Sequence, residues 1–151
     1  MTEALLMSHV LFGMLCIVSA VWLFVEVLNS SENNQQRIRI ISYLVPFFMW
    51  LSFLIGGYWY IVHYGADKAV ILKGPWKFSH TFFMEMKEHV VIMLLLLTTY
   101  LPIAASVNLA RNKTTRKMLL WVVGLVILIG IAMDGAGAII GIGVKVALMP
   151  H

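Results

Sequence analysis

The chain has 151 residues, of which 61% are hydrophobic and only 12% are charged. Soluble domains carry about 25% charged residues, so this composition argues against a water-soluble enzyme. Its apolar content excludes a disordered chain, and the single cysteine, Cys16, excludes a disulfide scaffold. The formal net charge of +4 does not indicate a nucleic-acid partner, because the basic residues form short clusters between long apolar runs.

Four apolar stretches follow one another, at about residues 5–28, 38–63, 81–109 and 118–148. Each exceeds the roughly 20 residues that a helix needs to cross the hydrocarbon core, and in lipid a helix satisfies its own backbone groups. The first and third connections are short, which favours antiparallel neighbours. The sequence therefore predicts an all-α fold: a four-transmembrane-helix antiparallel up-down bundle that forms a single domain.

The distribution of lysine and arginine predicts the orientation in the membrane. Three lysines lie in the middle connection, and six basic residues lie in or beside the first and third: Arg37, Arg39, Arg111, Lys113, Arg116 and Lys117. This bias places the first and third connections in the cytoplasm. We expect an integral protein of a bacterial inner membrane with both termini on the periplasmic side.

All five histidines map to the outer half of this topology: His9, His63, His80, His89 and His151. At 1.5 Å per residue, His9 and His89 lie at similar depths of roughly 8 and 13 Å. Two imidazoles on opposite faces of a porphyrin are suited to hold a b-type haem. His9 and His89 are therefore the predicted metal ligands, with His63 as the substitute, while His63 and His80 otherwise lie in the headgroup region.

Small residues accompany these histidines. Gly13 lies one turn below His9 on the same helix face, and glycines recur at residues 56–57 and 135–143. Such positions would admit a macrocycle beside its ligand, so Gly13 is a predicted cofactor-binding residue. Close helix packing in lipid is the alternative explanation of the glycines.

The third apolar stretch begins with the charged run Met84-Glu85-Met86-Lys87-Glu88-His89. Glu85 and His89 share a helix face, so Glu85 would orient the His89 ring. Glu85 or Glu88 would also serve as general base toward a quinol such as menaquinol, and Lys87 would pair with a haem propionate. The alternative is a polar collar where the helix leaves the membrane.

Two further features carry predictions. Asp134 lies near mid-depth of the fourth stretch, where an acid would relay protons or pair with Lys87. The ten methionines, together with His9 and Cys16, offer soft ligands for copper(I), although methionine is also a common apolar filler.

The segment Gly56-Gly57-Tyr-Trp-Tyr-Ile-Val-His63-Tyr64, followed by Gly74-Pro75-Trp76 and by Lys87, resembles the CopD copper-resistance proteins and the HemJ membrane oxidases. This resemblance implies a small helical membrane protein with histidines near one membrane face and bound haem. It would make His9, His63 and Lys87 the family-like positions. What carries over is the idea of a helical bundle with histidine-bound haem.

Together these patterns predict a membrane electron-transfer subunit, similar to a b-type cytochrome, that exchanges electrons with quinol. Glu85, Glu88 and Asp134 would handle protons, and the haem would lie among His9, His89, His63 and Lys87. The expected partners are membrane lipid and the other subunits of a membrane redox complex, since the chain has no large extramembrane domain. The alternatives are a cofactor-free accessory subunit and a copper-handling protein.

Overall fold

A computed structural model describes residues 2–149, so His151 lies outside the described residues. Helices α1 (Thr2–Leu28), α2 (Gln35–Lys73), α3 (Glu85–Ala105) and α4 (Lys113–Ala147) form the structure, and a π-helical turn, Ser79–Met84, leads directly into α3. Residues 2–149 contain no strand. The predicted all-α fold with four helices long and apolar enough to cross a membrane is confirmed, and it is compatible with an integral membrane protein.

Helix α2 is longer than predicted, because it continues past His63 to Lys73. The added turns bury Tyr64 and Ile71, which pack with Met84 and Ile140 in a small apolar cluster. The helix stops at Gly74, whose backbone is extended with ψ of 177°. Gly74 precedes Pro75, and helical backbone geometry is disfavoured for the residue before a proline.

The ends of α3 and α4 also differ from the prediction. Helix α3 ends at Ala105 instead of residue 109, and α4 begins at Lys113 instead of residue 118. Buried Gln35 holds the chain between them: its Nε2 donates to the carbonyls of Ala105 (3.0 Å) and Val107 (2.9 Å), and its Oε1 accepts from the Leu109 amide (3.0 Å). These bonds replace the helical hydrogen bonds that a longer α3 would make.

Neighbouring helices contact one another in opposite chain order. On α1 and α2, His9 meets Ser52 whereas Glu26 meets Arg37. On α2 and α3 the partners also run in opposite order. Early in α2, Arg39 donates to the Ser106 carbonyl just after α3, and Trp50 donates to Thr99. Further along α2, Tyr60 donates to Glu88 near the start of α3. These contacts are those expected of antiparallel neighbours, and the up-down order of all four helices stays a prediction.

The apolar interior is divided into two clusters. The larger one includes buried residues of all four helices near the first and third connections, among them Leu23, Val45, Leu101 and Val123. The smaller one is the cluster around Tyr64 at the other end. Several polar side chains lie between the two clusters, and they form the candidate site.

Candidate functional site

Each of the four helices contributes one polar side chain to the region between the two apolar clusters. They are His9 of α1, Ser52 of α2, Lys87 of α3 and Asp134 of α4, called here the polar layer. The sequence singled out three of these four residues. It missed Ser52, because a lone serine in an apolar helix gives no signal until its neighbour across the interface is known.

His9 and Ser52 form a closed hydrogen-bonded pair between α1 and α2. The His9 Nδ1 lies 2.9 Å from the Ser52 carbonyl oxygen and 3.0 Å from its Oγ. The Ser52 hydroxyl donates to the His9 carbonyl at 3.0 Å. Since a carbonyl only accepts, we assign the ring proton of the neutral His9 to Nδ1. The Nε2 of His9 then bears the lone pair, as in a metal-ligating or proton-accepting histidine.

Gly56 creates the space that the His9 ring fills. A Cβ at Gly56 would lie 2.7 Å from His9 Cε1 and still closer to Nδ1. At Gly13, by contrast, a Cβ would make ordinary contacts with Asp134 Oδ1 (3.4 Å) and Ser52 Oγ (3.6 Å). The sequence explained these glycines as room for a macrocycle. In the structure the gap at Gly56 holds His9 itself, and Gly13 lies against the polar layer.

Lys87 enters the layer from α3, where it is half-buried, and Asp134 borders the layer from α4, where it is exposed. A Cβ at Gly137 would lie 3.0 Å from Lys87 Nζ, so the absence of a side chain at Gly137 leaves room for the ammonium. The two side chains do not form a direct ion pair, since the salt bridges within residues 2–149 join Glu26 to Arg37 and Glu32 to Arg111. The sequence considered this pairing, and the structure brings both residues to one layer.

His89 is not part of the polar layer. It lies two residues after Lys87, which is about 200° further around the helix, and it is exposed. Its Nδ1 bonds the backbone carbonyl of Glu85 at 2.7 Å, not the Glu85 carboxylate that the sequence suggested. Glu85 is also exposed. The structure therefore does not bring His9 and His89 together across one interior space.

A second cluster of polar residues lies near the connection between α2 and the π-helical turn. The Tyr60 hydroxyl donates to the Glu88 carboxylate at 2.6 Å, and its ring stacks on Tyr64 with centroids 5.2 Å apart. The Tyr64 hydroxyl is bonded to His80 Nδ1 at 2.9 Å, and both residues are buried, at 2% and 5% exposure. Sequence reasoning placed His80 among the headgroups. It could not find this pair, because it ended α2 before Tyr64.

His63 stands apart from both polar groups. It is half-buried and packs edge-on against Tyr58 with ring centroids 6.5 Å apart. Within residues 2–149 there is no group of three or more His, Cys, Asp and Glu side chains arranged to hold a metal ion.

No family model, curated protein or solved structure matches the chain. The resemblance to the CopD and HemJ proteins stays a prediction from the motif around His63.

Proposed function

We propose that the chain is an electron-transfer subunit of a membrane redox complex and that it binds a b-type haem through Nε2 of His9. The observation that supports this proposal is the pair of Ser52 acceptors at His9 Nδ1. Ligating histidines commonly donate their second ring nitrogen to a carbonyl or similar acceptor, which fixes the tautomer and the ring orientation. The Nδ1 of His9 has such an arrangement with Ser52.

Lys87, at the same level on α3, suits a haem in charge, because its ammonium would supply a cation for a propionate. The bound haem would supply one-electron chemistry. His89 does not serve as the opposite ligand in this proposal, because it lies on the other side of α3 from Lys87. Of the residues in the polar layer, His9 would hold the haem iron and Lys87 would hold a propionate.

Exchange of electrons with a quinol is part of the same proposal. Oxidation of a quinol releases protons, which need an acceptor near the membrane surface. Glu88 is exposed and already accepts a hydrogen bond from Tyr60. It is therefore the carboxylate that we assign to this step, in preference to Glu85.

We further propose the inner membrane of a bacterium as the location, with both termini on the periplasmic side. The excess of basic residues in the first and third connections supports this orientation.

One observation favours a second candidate function, a cofactor-free accessory subunit. Glu85 and His89 are exposed on α3, on the side away from Lys87. Polar groups at lipid-facing positions are costly, by about 2.5–3.5 kcal/mol for a charged one at the helix centre and less near the surface. A neighbouring protein chain that covers this surface would remove that cost.

Optical spectra of the protein purified in mild detergent test the haem proposal. We expect a Soret band and a dithionite-reduced α-band that disappear in His9→Ala and persist in His63→Ala, whose ring lies outside the polar layer. His89→Ala should keep the spectrum. A natively purified, folded sample without a Soret band would refute haem binding, as would a His9→Ala variant with the parent α-band.

The same preparation separates the alternatives. If the accessory function is correct, no variant carries haem, and His89→Ala weakens co-purification of a partner subunit. Metal analysis of the sample tests the copper-handling alternative, which requires stoichiometric copper that His9→Ala removes.

A further inference from the structure

A shallow groove runs along the first turns of α4. It has a volume of about 430 Å³ and is lined by Lys113, Thr114, Lys117, Met118 and Trp121. These residues recur at helical spacing, so they share one face of α4. All five are exposed. The groove lies at the basic end of the bundle, defined here as the end that contains the first and third connections, residues 29–34 and 106–112.

In the part of the chain that the structure describes, the two lysines of the groove have no acidic partner. Among residues 2–149, the acids at the basic end pair with arginines instead: Glu26 with Arg37 at 2.9 Å and Glu32 with Arg111 at 2.6 Å. The hydrogen bond from Arg111 to Glu32 also raises the pKa of that guanidinium. Lys113 and Lys117 therefore leave an uncompensated positive charge beside the groove.

The start of α4 adds to this positive potential. The Asn112 side chain caps the helix by accepting from the Thr115 amide at 3.0 Å, which leaves the amides of Lys113 and Thr114 free of intrahelical bonds. The aligned peptide dipoles place partial positive charge at this helix end. Lysines, free amides and a threonine hydroxyl together suit a phosphate group.

The groove changes from polar to apolar along α4. Met118 and Trp121 are 40% and 69% exposed and follow the lysines toward the middle of the membrane-spanning helix. Trp121 lies roughly 12 Å along the helix from Lys113. A free phosphate ion would use only the charged half of this surface. A phospholipid uses both halves, with its phosphate on the lysines and an acyl chain on the apolar residues.

We propose that this groove binds an anionic phospholipid, with the phosphate between Lys113 and Lys117 and one acyl chain against Met118 and Trp121. The charge arrangement selects an anionic headgroup over a zwitterionic one. This site is separate from the polar layer, and its existence does not depend on haem binding.

Native mass spectrometry of the whole protein tests this assignment with phosphatidylglycerol and phosphatidylcholine of equal acyl chains. Each lysine near an anionic headgroup strengthens binding by about fivefold, so Lys113→Gln/Lys117→Gln should weaken phosphatidylglycerol binding by about 25-fold. The matched control, Lys73→Gln/Lys77→Gln, alters two exposed lysines at the opposite end and should bind like the parent. Equal binding of the two lipids, or an equal loss in both variants, would overturn the proposal.

A second measurement distinguishes a lipid from free phosphate. Brominated phosphatidylglycerol should quench the part of the tryptophan fluorescence that Trp121→Phe removes, and phosphatidylcholine with the same bromines should quench it much less. Millimolar inorganic phosphate should not displace the bound phosphatidylglycerol. Displacement by phosphate would assign the groove to a small anion and refute the lipid proposal.

Discussion

Replacing Gly56 with alanine should push the His9 ring out of its position. The new Cβ would lie 2.7 Å from His9 Cε1 and 3.1 Å from Cγ, both inside ordinary contact distance. The ring is bound to Ser52 on the same helix as Gly56, so it cannot move away without weakening those hydrogen bonds. The steric conflict and the hydrogen-bond loss therefore act together.

The magnitude follows from three contributions. Overpacking a well-filled interior costs about 1–3 kcal/mol, and a lost hydrogen bond costs about 0.5–1.5 kcal/mol. Alanine gains up to ~1 kcal/mol over glycine in a helix. We expect Gly56→Ala to lower the free energy of unfolding by about 1–3 kcal/mol, since the unfavourable contributions exceed the gain in helix propensity.

The adjacent glycine provides the control, because a Cβ at Gly57 would meet no atom within 4 Å. Gly57→Ala should leave the stability unchanged or raise it by up to ~1 kcal/mol. Both variants are compared by reversible unfolding in mixed detergent and dodecyl sulfate micelles. In a His9→Ala background the obstructing ring is removed, so Gly56→Ala should then cost little. The reasoning is refuted if Gly56→Ala is as stable as Gly57→Ala, or costs the same with and without the His9 ring.

Two further predictions concern stability and use the same unfolding assay. Gln35→Ala removes three hydrogen bonds that hold the chain after α3 and should cost about 1.5–4 kcal/mol, whereas exposed Gln36→Ala should be near neutral; equal effects would contradict this. Gly143→Ala places a Cβ 2.8 Å from Ser79 Cβ and should destabilise the π-helical turn by about 1–3 kcal/mol. Gly141→Ala, which meets nothing within 4 Å, should not, and a similar loss in both would argue against close packing at this turn.

The sequence alone determined the fold class and the position of each polar residue along its helix. Four apolar runs longer than a bilayer core leave few solutions other than helices, because backbone groups in lipid need partners within their own segment. The position along a helix follows from residue number at a constant rise per residue. His9, Lys87 and Asp134 were therefore recognisable as unusual residues from the sequence.

Tertiary packing decided where α2 and α3 end. Gly65, Asp67 and Lys68 follow His63 and suggest a connecting loop. Helix α2 nevertheless continues, because Tyr64 and Ile71 pack in the cluster at its end. The end of α3 depends on Gln35, which lies far away in the sequence. Neither helix end can be predicted from local composition, because both depend on contacts between residues far apart in the sequence.

Rotation about each helix axis was also decided only by packing. The sequence predicts similar depths for His9 and His89, yet Lys87 is the α3 residue that points to the polar layer, and His89 is exposed on the other side. The choice rests on contacts such as Gly137 beside the Lys87 ammonium and Gly56 beside the His9 ring. A single sequence gives the height of a residue along its helix. Its direction depends on which neighbouring helices leave space for it.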